Sequence, residues 1–188
     1  MTMDTKENIV DAAIRAFVQY GATKTSMADI GSAAGVSRQT LYDIFGSKDE
    51  LIVASIQKVA AENLANAQSR IRRCKTLDGQ LTAYFEETIV KSFTLVHSSN
   101  DPEDLITGHN KAGKAAIEES HRNHEELIRE VLAPYEANIN SSGQSVTSLA
   151  HFLVTTTMGF KNAAKNKRDL DNLLSALRAL ILAITTPS

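Results

Sequence analysis

The stretch from Ser26 to Leu51, SMADIGSAAGVSRQTLYDIFGSKDEL, constrains the fold more than any other part of this 188-residue chain. It reads as two short helices joined by a tight turn, with a third following at once. Ser26 caps the first helix, and Asp29 three residues on completes a capping box. Ile30, Ala33 and Ala34 give that helix an apolar side. Gly35 supplies the left-handed residue that a four-residue connection needs, and Val36 fills the angle between the helices. Ser37 caps the second helix, whose Leu41, Ile44 and Phe45 turn inward at spacings of three and four. Arg38, Gln39, Tyr42 and Asp43 are left on its outer face. Gly46 stops it, and Ser47 with Glu50 forms another capping box for a long helix beginning near Lys48.

Two helices at a steep angle around a glycine turn, with a polar outer face on the second, fit a DNA-binding helix-turn-helix. Arg38 can grip guanine with two hydrogen bonds and Gln39 can do the same to adenine, while Tyr42 and Lys48 can hold phosphates. Thr25, Ser26, Ser37 and Thr40 are hydroxyl residues at the two helix starts, where backbone N–H groups and the helix dipole also favour an anion. The same spacing suits an ordinary helical hairpin in an all-α core, and the turn alone does not separate the two.

The run Ile30, Ala34-Gly35-Val36-Ser37, Leu41-Tyr42, Phe45, Ser47-Lys48 and Leu51 resembles the signature of the TetR (tetracycline-repressor-like) transcriptional regulators. The likeness extends upstream through Ile9, Ala12-Ala13, Phe17, Gly21 and Thr25, about the first quarter of the chain. It implies a three-helix DNA-binding domain over residues 1–50 and a helical ligand-binding and dimerisation domain over residues 51–188. It also implies repression of a double-stranded operator, relieved by a small-molecule effector. The chain departs from the family pattern in places. Gly31 stands where Ala is common, which weakens the helix slightly. Asp43 and Ile44 replace the usual aromatic residues or His before Phe45. One turn beyond Gln39, Asp43 would repel phosphate or accept a hydrogen bond from cytosine, so the operator sequence is not carried over from relatives.

Gly and Pro are scarce and β-branched runs short, which favours an all-α fold of a size able to bury a substantial core. The single Cys74 excludes an intrachain disulfide and suits a reducing cytoplasm. No apolar run is long enough to cross a membrane, and the polar start MTMDTKEN is no signal peptide. Charge gives DNA binding little support: residues 1–50 carry five basic groups against seven acidic ones. The expectation is modest affinity from each domain and reliance on a dimer. A helical dimer that binds a small molecule or protein but not DNA is the alternative class.

Upstream, a helix from Asp4 or Thr5 packs Ile9, Val10, Ala13, Ile14, Phe17 and Val18 on the helix-turn-helix and ends at Gly21. The helix from Ser47 to Lys75 carries an apolar stripe from Leu51 to Ile71 and itself makes the inter-domain connection. Arg70, Arg72, Arg73 and Lys75 crowd its last turn, where the macrodipole favours cations. Another helix is expected from Leu77 to Val96. Ser98 to Gly113 holds Asn-Asp-Pro and two glycines, leaving room for only a short helix. Helical spacing resumes from Lys114 to Ile139, breaks at Ser141-Ser142-Gly143, and resumes from Gln144 to Lys165. That helix has two apolar faces: Val146, Leu149, Leu153 and Phe160 on one, Phe152, Thr156, Gly159 and Ala163 on the other. The last helix carries Leu170, Leu173, Leu174, Leu177, Leu180, Ile181 and Ile184. Such apolar excess places the homodimer interface on the last two helices, where the family resemblance implies a four-helix bundle with Leu177 in its seam; the alternative is a last helix buried within one subunit.

All five histidines, His97, His109, His121, His124 and His151, lie in the C-terminal part. His121 and His124, three apart, could ligate a metal with His109 as a third ligand, but no Cys or carboxylate completes a recognisable metal-ligand spacing. They are expected instead either to offer hydrogen bonds to a small molecule, with Thr88 and Ser92 facing them and Phe85, Ile89 and Phe152 as apolar walls, or to stand solvated near a helix start. No phosphate loop or nucleophile motif is present, and no catalytic residue, metal or cofactor is assigned.

Overall fold

The computed structural model describes residues 3–100 and 111–186, and every regular element among them is helical. The chain divides into two compact units, Met1–Ala61 with Thr94–Glu119, and Glu62–Phe93 with Ser120–Ser188. The expectations for His109 and for most of Ser98 to Gly113 lie outside the described residues.

In the first unit, α1 (Met3–Tyr20), α2 (Met27–Ala34), α3 (Arg38–Phe45) and the start of α4 (Lys48–Ile71) enclose Ile9, Ala13, Phe17, Ile30, Leu41, Phe45 and Leu51. The Asn8 amide donates to Ala34 O at 3.0 Å, tying α1 to the end of α2. Both halves of the Ser26–Asp29 capping box are made. At Ser47 only half forms: Glu50 N–H donates to Ser47 Oγ at 3.1 Å, while the Ser47 N–H goes to Phe45 O at 2.6 Å. Gly35 turns the chain at φ 68°, and its neighbour Val36 donates back to Gly31 O at 2.9 Å. Gly31 is buried in place of the exposed Ala33. A Cβ at Gly31 would lie 3.0 Å from Val36 O and 3.3 Å from Leu41 Cδ1, so the departure at this position lets α2 approach α3 closely.

The second unit is built on one core that runs from Ala67 through Leu81, Tyr84, Ile89, Ile128, Leu132, Leu153 and Leu170 to Ile181. It takes in the end of α4, then α5 (Leu77–Tyr84), capped by Thr76. The helix expected over Leu77 to Val96 is continuous but passes through a π-helical stretch, Phe85–Val90, before α6 (Lys91–His97). The extra residue per turn brings Glu87 inward with Thr88 and Ile89. Arg70 Nη1 and Nη2 meet Glu87 and Glu86 at 2.7 and 2.6 Å, and Lys91 pairs with Glu87 as well. Arg70 is thus held by specific partners and not by the helix dipole alone.

The single helix expected from Lys114 to Ile139 is three elements. α7 (Lys111–Leu132) gives way to a 3-10 turn, Ala133–Tyr135, and then α8 (Glu136–Ser141). Pro134 has no N–H to continue the ladder and its ring crowds the preceding turn, so the chain must restart. Ser145 caps α9 (Val146–Ala163) and Asn166 caps α10 (Lys167–Thr185). On α9, Leu149, Ala150, Leu153, Val154 and Thr157 are buried, whereas Phe152 is 52% exposed and Gly159 has open space around it. On α10, Leu177 is only 3% exposed and belongs to its own chain's core, which corrects its placement in an intersubunit seam. Leu180, 61% exposed, faces outward from the same helix.

Candidate nucleic-acid interface

α3 presents a polar face because its apolar residues are consumed by the core. Leu41 and Phe45 are buried, and Arg38, Gln39, Tyr42 and Asp43 remain exposed. Thr40 N–H donates to Ser37 Oγ at 3.0 Å, and the two hydroxyls lie 2.8 Å apart. The Arg38 guanidinium sits 5.4 Å from the centre of the Tyr42 ring, with Nη2 3.5 Å from the phenol oxygen. Such cation–π contact holds the guanidinium extended over the helix surface.

Beside this face lies a cleft of about 360 Å³, lined by Thr23, Lys24, Ser26, Met27, Arg38, Tyr42 and Lys48 among others. It adjoins the start of α2, where backbone N–H groups point outward and the dipole is positive. Lys48 Nζ reaches across to Thr23 O at 3.2 Å. Three cations, Lys24, Arg38 and Lys48, therefore share the mouth of one helix N-terminus. The acidic excess of residues 1–50 lies partly elsewhere: Glu7 and Asp11 meet Lys58 Nζ at 2.8 and 3.0 Å. Asp29 is spent on the capping box, and the Ser26 hydroxyl and backbone N–H hold its carboxyl below the usual range. Net charge does not register position, and Lys24, Arg38 and Lys48 line one cleft.

Ser26, Arg38, Tyr42 and Lys48 come together at the cleft, and Gln39 and Thr40 lie on α3 with Ser37 at its cap. Thr25 borders the same cleft, but as a buried residue. Its side chain is 2% exposed and its hydroxyl donates to Gly21 O at 2.7 Å, so it closes the end of α1. Lys24 was not singled out from sequence; its place just before a capped helix start was the available signal.

In the second unit, Phe85, Thr88, Ile89 and His124 are buried, with Ser92 and His121 half-buried. Thr88 Oγ1 donates to Tyr84 O and Ser92 Oγ to Thr88 O, each at 2.7 Å. The Asn63 amide donates to Ser92 at 3.3 Å. The His124 ring stands edge-on to Tyr84, centroids 5.7 Å apart. Burial, with the nearby Lys161 and His121 charges, pushes its pKa down to about 4. Phe152, expected as a wall of this group, stands outside the core cluster. Tyr84 and Lys161 were not singled out, because an aromatic on a core stripe and a lysine near a helix end look ordinary in sequence. Among the described residues no cluster of three His, Cys, Asp or Glu side chains is placed to hold a metal ion.

Residues 9–55 match the family model described as bacterial regulatory proteins, tetR family. The HTH-type transcriptional regulator TtgR of Pseudomonas putida is 39% identical over 56 residues, 30% of this chain and 27% of that one. The uncharacterized HTH-type regulator YezE of Bacillus subtilis is 22% identical over 178 residues, 88% of each chain. Among solved structures, the regulator FadR from Bacillus subtilis, in complex with stearoyl-CoA, superposes with a TM-score of 0.67 at 19% identity. That likeness covers 95% of this chain and 98% of FadR.

Proposed function

The chain belongs to the TetR family of bacterial regulatory proteins, and on that basis we propose that it is a homodimeric repressor released from a palindromic operator by a small molecule. It is a DNA-binding transcriptional regulator. Residues 1–50 form the DNA-binding domain and residues 51–188 the ligand-binding and dimerisation domain. α3 enters the major groove, where Arg38 and Gln39 read base edges. Ser26, Ser37, Thr40, Tyr42, Lys24 and Lys48 meet phosphates on either side. The observation that carries this reading is the cleft where three cations converge on the α2 N-terminus beside an exposed polar helix. No helix among the described residues is long and apolar enough to cross a membrane, and we place the protein in the cytoplasm.

The outward face of α9 and α10, with Phe152 and Leu180, forms the subunit seam, since large apolar side chains standing exposed on adjacent helices mark an interface. The effector occupies the second unit near Phe85, Thr88, Ile89, Ser92, His121 and His124. It acts by preferring the conformation in which the paired recognition helices no longer match successive major grooves. A family fold solved around stearoyl-CoA supports a largely apolar effector.

Fluorescence anisotropy on a palindromic fragment from upstream of the protein's own gene tests the reading. Binding should exceed that to scrambled DNA and fall steeply with salt. No binding to either fragment would favour the class of helical dimers that bind a ligand and not DNA.

A further inference from the structure

We propose that Tyr84, His124 and Lys161 form a carboxylate receptor inside the second unit, so that the effector is an apolar organic acid. This rests on the effector reading above and narrows it to one ligand chemistry. Tyr84 at the end of α5 meets His124 of α7 ring to ring, and Thr157 of α9 lies beside Tyr84, with Lys161 one turn further on. The Tyr84 hydroxyl and His124 Nδ1 are both buried without a hydrogen bond of normal geometry, the Thr88 and Thr157 hydroxyls being the polar side chains nearest the phenol. Buried polar atoms are seldom left unpaired in a settled core, and each costs about 1–3 kcal/mol when it is. Two within one ring-to-ring contact of 5.7 Å point to a missing partner.

Lys161 supplies the charge. Its residue surface is half-buried, yet the surrounding protein desolvates its ammonium enough to lower its pKa. The same ammonium lies close enough to help keep His124 neutral. Among the described residues it has no ion pair or hydrogen bond. The neighbouring groups are already engaged. Thr88 and Thr157 donate to Tyr84 O and Val154 O at 2.7 and 3.0 Å, and Glu125 is held by His151 at 2.9 Å. What is left over is donor capacity: a phenol O–H, an imidazole N–H in one tautomer, and an ammonium. A carboxylate accepts at about four lone-pair positions and neutralises the ammonium, whereas a cationic ligand would meet a like charge. Phe85, Ile89, Ile128 and Leu153 in the same core give the rest of such a molecule an apolar setting.

Isothermal titration of the full chain with a carboxylate series, butanoate to hexadecanoate and phenylacetate, each beside its alcohol, tests this. At least one acid should bind, and at least 10-fold more tightly than its alcohol. Lys161→Met should weaken the acid by about 10- to 150-fold and leave the alcohol unchanged, the range expected of a charge-assisted hydrogen bond. Its ligand-free unfolding midpoint should not fall, because a partly desolvated charge without an ion pair has been removed. Tyr84→Phe, which keeps the ring, should weaken the acid several-fold. No acid binding, or acid and alcohol binding alike, overturns the proposal. Operator release, read separately by anisotropy, separates the two claims. An acid that binds without releasing DNA leaves the receptor standing and removes the effector role. A neutral ligand that releases DNA while no acid binds leaves the effector reading standing and removes the receptor.

Discussion

On the outer face of α3 the Gln39 side-chain amide donates to Asp43 Oδ1 at 2.8 Å, one helical turn away. The free protein thus holds Gln39 in a bond that must be kept or exchanged when bases arrive. Gln39→Ala should cost about 1–3 kcal/mol on the operator and relax preference at one base pair. Asp43→Asn keeps an acceptor for Gln39 but removes a negative charge facing phosphate. It should strengthen binding to all sequences together, measured as anisotropy on operator and scrambled DNA. If Asp43→Asn instead shifts base preference alone, Asp43 reads a base and does not merely position Gln39.

Lys48 bridges α4 to Thr23 O and lines the cleft at the start of α2. Lys48→Ala should weaken operator and scrambled DNA alike and reduce the slope of log K against log salt by about 1. An unchanged slope would remove Lys48 from the phosphate contacts.

The pH dependence of stability should carry a mark from His124. Its folded pKa of about 4 lies below the ordinary histidine value of 6.5, chiefly through burial. Between those values the unfolded chain binds more protons, so stability is full above about pH 6.5 and is lost as pH falls toward 4. The shift corresponds to about 3 kcal/mol. Urea unfolding of wild type should weaken over that window. His124→Phe, which cannot take up the proton, should flatten it. Glu87 acts lower. Lys91 and then Arg70 depress its pKa, so its contribution is present above about 4.5 and disappears as the carboxylate protonates.

Leu177 and Leu180 lie on one helix but answer to different partners. Leu177→Asp puts a charge into the chain's own core and should abolish stable folding, at a cost of several kcal/mol. Phe152→Asp and Leu180→Asp lie on exposed positions and should leave the helical circular-dichroism signal intact while yielding monomers in analytical ultracentrifugation. Dimers of undiminished stability in both variants would move the seam elsewhere.

The sequence alone determined the local grammar of the first unit. Ser26, Gly35, Ser37 and Gly46 each act within about four residues, through a cap or a left-handed turn, and they fall in the structure where their chemistry requires. The polar face of α3 was legible for the same reason, since helical period alone separates Leu41 and Phe45 from Arg38 and Gln39. The tertiary structure decided what depends on distant partners. It turned Thr25 inward and gave Arg70 to Glu86 and Glu87. It also separated Leu177 from Leu180 and set Phe152 outside the core. Periodicity says which side of a helix is apolar, but not whether that side meets its own chain or another. The convergence of Tyr84, His124 and Lys161 was hidden for a related reason. Each is unremarkable on its own helix, and only the packing between helices sets the Tyr84 hydroxyl and His124 Nδ1 in one buried place with the Lys161 charge near them.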